Sequence, residues 1–129
     1  MRTEIGVSVP ELVIMATGSE VALAVQAARK LTGMNVRVVS MPNVGAFMAQ
    51  PAEFRDALIP PAAKKVVIEA GRTGPWAEVL GGNVSDQLKI GIDEFGLSGP
   101  AEKLWVHFGF TVEAVVRKIR EKFGAPAAA

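Results

Sequence analysis

Residues 11–25 read ELVIMATGSEVALAV. Glu11–Ala16 is a short apolar run closed by Thr17-Gly18, the pattern of a strand buried on both faces of a covered sheet. Ser19 then stands where a helix N-cap belongs. Val21, Ala24, Val25, Ala28 and Leu31 recur at helical spacing until Gly33 supplies a stop. A buried strand feeding an amphipathic helix through a tight turn is the opening unit of an α/β fold.

The same alternation continues outward. Val36–Val39 is a β-branched run ended by Ser40-Met41-Pro42, where proline cannot continue a central strand. Val44–Ile59 reads as two short helical pieces broken at Pro51 and stopped by Pro60-Pro61. Lys65–Ala70 is a third strand closed by Gly71, Pro75–Leu80 one or two helical turns, and Leu88–Ile92 a fourth, weaker strand. Pro100–Phe108 reads as a helix that opens on proline with Glu102 in its first turn and ends at Gly109. Thr111 is placed to cap a last helix whose apolar stripe is Val112, Val115, Val116, Ile119 and Phe123, with Glu113, Arg117, Arg120 and Glu121 facing water. Strands alternating with helices predict a largely parallel sheet with helices on both faces.

Composition bounds the function. The 129 residues are half hydrophobic, enough to bury one ordinary core. Fourteen basic residues against thirteen acidic ones give a net charge of +1 without a block of like charges, so nucleic acid is not an expected partner. The absence of cysteine removes disulfides, thiolate metal sites and thiol nucleophiles, and fits a reducing cytoplasm. Residues 1–10 lack the basic start and apolar run of a signal peptide. No apolar run approaches the roughly 20 residues needed to span a bilayer, so no membrane association is expected. Residues 1–9 read as a leader or linker remnant, 10–124 as one domain and 125–129 as a flexible tail.

The sequence carries little catalytic chemistry. Thr17-Gly18-Ser19-Glu20 offers one glycine where a dinucleotide-binding turn needs three, and Glu20 sets a carboxylate beside the helix N–H groups that would otherwise attract an anion. A capped helix start is the plainer reading. Gly96-Leu97-Ser98-Gly99-Pro100 fails the nucleophile-elbow pattern at its last position, and Ser98 suits capping. His107 is the single histidine, which excludes a two-histidine zinc site, and it sits late in a helix where its charge suits the C-terminus. Glu69 and Asp93 each end a predicted strand, the edge where α/β sheets place ligands; each could equally satisfy loop N–H groups. Trp76 and Trp105 are large enough to serve as core or as interface anchors, and periodicity does not decide between these. The ligand or interface candidates are therefore Thr17, Gly18, Ser19, Glu69, Arg72, Trp76 and Asp93, with no catalytic, cofactor-binding or metal-ligating residue among them.

Taken in order, ATGSEV (Ala16–Val21), VVSMP (Val38–Pro42), EAG (Glu69–Gly71), PAEKL (Pro100–Leu104) and FGFTV (Phe108–Val112) resemble the carboxy-terminal domain of transketolases. The resemblance runs from about Pro10 to Phe123. It implies a three-layer α/β/α sandwich around a mostly parallel, mixed sheet of about five strands, one of them antiparallel. It also implies a parent enzyme that moves a two-carbon ketol unit between sugar phosphates, using thiamine diphosphate and Mg2+ held by two preceding domains. The family's Gly-Asp-Gly metal motif has no counterpart, since Gly91-Ile92-Asp93 lacks the trailing glycine. By resemblance, then, this chain binds no cofactor of its own. Its expected partners are the thiamine-binding domains of a homodimeric, cytoplasmic enzyme, its expected roles are domain packing and dimer contact, and it is expected to be inactive alone. The sequence departs from the family at Pro75 before the tryptophan and at Glu94, where a basic residue is usual. A second reading, a small-ligand or regulatory module built on the loops Thr17–Glu20, Glu69–Arg72 and Asp93–Ser98, rests on all three following predicted strands.

Overall fold

The computed structural model describes residues 10–18, 20–69, 76–81, 84–90 and 111–124. Ser19, Arg72, Asp93, Ser98, Trp105, His107 and the helix expected over Pro100–Phe108 lie outside these residues.

Four strands are described: β1 (Leu12–Ala16), β2 (Val36–Ser40), β3 (Lys64–Ile68) and β4 (Gln87–Ile90). All pair in parallel in the order β2-β1-β3-β4. The antiparallel strand implied by the family resemblance is not among the described residues. The helices are α1 (Glu20–Lys30), α2 (Val44–Met48), α3 (Ala52–Leu58), α4 (Ala77–Leu80) and α5 (Val112–Phe123). The break at Pro51 separates α2 from α3, as expected of a residue that cannot sit inside a helix.

Strand alternation sorts the core into two faces. Leu12, Ile14 and Ala16 of β1, Val36 and Val38 of β2, and Val66 and Ile68 of β3 meet α1 and α5. Val13, Met15, Val39 and Val67 point the other way, against Phe47, Leu58, Ile59, Val79 and Leu80 from α2, α3, α4 and their connections. The result is three layers. All five residues of β1 are buried, the signature of a strand covered on both sides.

Two expectations about helix faces change in detail. In α1 the buried stripe is centred on Leu23, Ala24, Ala27 and Ala28, while Val21 and Val25 are only partly buried. Alanine lets the helix axis lie close to the sheet, and the β-branched residues are left on the flank. In α5, Arg120 is not wholly turned to water: its Nη2 donates to the Lys30 carbonyl at 3.2 Å, a tie between the last helix and the end of the first. The expected N-cap of this helix is present. Thr111 Oγ1 accepts from the Ala114 N–H at 3.2 Å, and Gly124, with φ of 86°, closes the other end.

Candidate functional site

The strand order contains one reversal. The chain passes from β1 through α1 to β2 on one side, then crosses over β1 through α2 and α3 to β3 on the other. Connections leaving β1 and β3 therefore lie on opposite faces, as right-handed crossovers in opposite directions require. The C-terminal ends of β1 and β3 flank a topological switch point, the place where open α/β sheets usually accept ligands.

Three of the sequence-derived candidates converge there. Thr17 follows β1 directly and Glu69 follows β3 directly. The Thr17 hydroxyl donates to Glu69 Oε2 at 3.2 Å. Trp76, at the entrance to α4, is only 2% exposed and directs its indole N–H to the same oxygen at 3.4 Å. Trp76 is thus a core residue whose polar edge is satisfied by a carboxylate, which resolves the choice that periodicity left open. Gly18 lies beside Thr17 with φ of 55°, a left-handed conformation that turns the chain from strand to helix. The α1 entry is then closed by the Glu20 N–H donating to the Thr17 carbonyl at 3.1 Å.

Chemically this cluster fastens. One carboxylate oxygen receives a hydroxyl from the end of β1 and an indole from the layer beneath, while the Glu69 N–H donates to the Ile90 carbonyl at 3.0 Å. The ends of β1, β3 and β4 and the body of Trp76 are joined through one residue. No group of three His, Cys, Asp or Glu side chains among the described residues is placed to hold a metal ion.

The residues that sequence reading overlooked lie elsewhere. Arg37 is a charged residue in the buried strand β2. It is 5% exposed, and its Nη1 donates to the Ala57 and Leu58 carbonyls at 2.9 and 2.8 Å. It caps the C-terminus of α3 from across the layer. Gln87 Nε2 does the same for α4 through the Leu80 and Gly81 carbonyls, at 2.9 and 2.7 Å. Lys65 is the second residue of β3, and its Nζ donates to the Pro61 and Ala63 carbonyls at 3.3 and 3.1 Å. Burial pushes its ammonium below the ordinary value of 10.5, and the nearby Asp86 carboxylate partly opposes that. An Arg in a valine-rich strand gave one usable signal: a lone charge within a buried run must find partners.

Comparison with known proteins follows the fold. The model of the transketolase-like TK C-terminal domain matches residues 2–111. Transketolase 2 of Vibrio parahaemolyticus is 48% identical over 115 residues, which is 87% of this chain and 17% of that relative. Transketolase 1 of Escherichia coli is 47% identical over 115 residues, again 87% of this chain and 17% of that protein. Among solved structures, transketolase from Leishmania mexicana superposes with a TM-score of 0.73 at 44% identity, covering 89% of this chain and 16% of its own. The chain thus spans about one sixth of the length of these relatives. A match across most of the chain, joined to a parallel α/β sheet of the same architecture, assigns it to the transketolase-like TK C-terminal domain family.

Proposed function

We propose that this chain serves as the C-terminal domain of a transketolase, where its contribution is domain packing and subunit contact. The observation that carries the reading is the pairing of two coverages: 87% of this chain aligns, but with only 17% of the relative. Ketol transfer then belongs to the thiamine-binding part of a homodimeric, cytoplasmic parent enzyme. Thiamine diphosphate with Mg2+ supplies the carbanion stabilisation there. This chain's residues hold no cofactor in that scheme. They build the sheet, lock its switch point through Glu69 and present surfaces to neighbouring domains.

The test is direct. The purified 129-residue chain, given thiamine diphosphate, Mg2+, a ketose phosphate and an aldose phosphate, is expected to transfer no ketol unit. Adding the separately expressed thiamine-binding part of a close relative should yield a complex on size-exclusion chromatography. Turnover by the chain alone would overturn the reading, and so would failure of the two parts to associate.

One observation favours a second reading, that of a small-ligand or regulatory module: Thr17, Glu69 and Trp76 meet at the switch point, with Gly18 exposed beside them. Ser19, Arg72 and Asp93, which lie outside the described residues, belong to this reading on sequence grounds alone. Titration with nucleotides and sugar phosphates should then move the amide resonances of Thr17, Gly18 and Glu69. Unmoved resonances would remove this reading.

A further inference from the structure

A second concavity lies at the opposite edge of the sheet, where β3 begins. It is a cavity of about 260 Å3 that opens to solvent between α2, α3 and α4. Its apolar wall is Phe47, Met48, Ile59, Val79 and Leu80. Its polar rim is Arg55, Asp56 and Lys65.

The two cations are each held by backbone carbonyls. Lys65 Nζ donates to the Pro61 and Ala63 carbonyls. Arg55 Nε donates to the Gln50 carbonyl at 3.1 Å, which fixes the guanidinium plane. None of these bonds ends on a carboxylate. On the rim the opposing charge is Asp56, which is exposed; behind Lys65 it is Asp86.

From this arrangement we propose that the cavity is a binding site for a small organic anion, with a carboxylate or phosphate head between Arg55 and Lys65 and a compact apolar body against Phe47, Met48 and Leu80. Two anchored cations beside an apolar wall form the usual recognition pattern for such a molecule, a concave apolar surface with a few fixed polar groups. Burial that disfavours the Lys65 ammonium is relieved when an anion arrives, so binding and protonation of Lys65 are linked. The site is distinct from the switch point and stands independently of the transketolase reading.

Phenyl phosphate and benzoate are suitable probes, with inorganic phosphate and benzyl alcohol as the head and the body alone. Titrated into the full chain, phenyl phosphate or benzoate should move the Leu80 and Gly81 amides and the Met48 methyl saturably, and should raise the pKa of Lys65 followed by its side-chain 13C resonance. Either fragment alone should bind more weakly. Lys65→Met should weaken binding about tenfold, the loss of one charge-assisted hydrogen bond, and Lys65→Arg should largely retain it. Arg55→Gln, on a half-exposed helical position, gives the same test without disturbing β3. The proposal is overturned if neither probe produces saturable shifts in this cavity. It is overturned equally if benzyl alcohol or inorganic phosphate binds as tightly as phenyl phosphate, or if Lys65→Met and Arg55→Gln leave binding unchanged.

Discussion

Glu69 accepts from two donors in different environments, and the difference sets what each substitution does. Thr17 is half-buried, so water can replace a lost partner; Trp76 is 2% exposed, so it cannot. Glu69→Ala is expected to cost about 2 kcal/mol, mostly from the stranded indole N–H, while Glu69→Gln keeps an acceptor and should cost about 1 kcal/mol or less. Urea midpoints give the ordering, and the Trp76 indole resonance should move in both variants. Equal midpoints for all three proteins would refute the fastening role. Lys65 makes a separate prediction. Between its lowered folded value and 10.5 the unfolded chain binds more protons than the folded one, so unfolding free energy rises with pH across that window. Lys65→Met lacks this rise, and the stability difference should therefore move in favour of the unaltered chain as pH climbs from neutral toward 10.5. Thr17, Glu69 and Trp76 were legible as candidates because strand ends can be found from sequence. Lys65 and Arg55 were not, since their importance comes from a cavity that α2 and α3 form with α4, which follows only after β3.

At the scale of elements, short helices depend on side chains from outside themselves. Helix α3 has seven residues, too few to be stable alone, and Arg37 from β2 satisfies two carbonyls at its C-terminus. Arg37→Met should destabilise the protein by about 2 kcal/mol, the range for hydrogen bonds from a charged group, and should raise amide exchange in α3 more than in α1. Helix α5 is better provided with local signals. Its Thr111 cap predicts a loss of about 1 kcal/mol for Thr111→Ala. Ile119, wholly buried against the sheet, predicts about 2–5 kcal/mol for Ile119→Ala. Both follow from chemical denaturation. This helix could be read from sequence almost residue for residue, because one period of apolar spacing and one cap define it. The α1 stripe was read less well. Valines suggest burial by hydropathy, but the sheet accepted the smaller alanines at closest approach.

Across the whole molecule, the strand order makes β1 and β3 the centre and leaves β2 and β4 with one described partner each. Hydrogen exchange should accordingly be slow in β1 and β3, each of which is paired on both sides. Fast exchange throughout β1 or β3 would contradict the order. The α/β class was legible in the alternation of elements, and the pairing order was not, since hydrophobic periodicity carries no information on which strand lies beside which. The reversal that makes the switch point appears only once β3 is seen to pair with β1 instead of β2.

Arg37 has a further consequence, for how β2 finds its partner. A valine-rich strand such as Val36–Ser40 is a weak guide to alignment, because slipping by one residue exchanges one β-branched side chain for another. The guanidinium removes that ambiguity. A slip by one residue against β1 would turn Arg37 to the α1 and α5 face, away from the Ala57 and Leu58 carbonyls, and bury an uncompensated charge among leucine, isoleucine and alanine. The misaligned pairing is thereby raised well above the native one. A single arginine thus gives an otherwise uniform strand one address in the sheet.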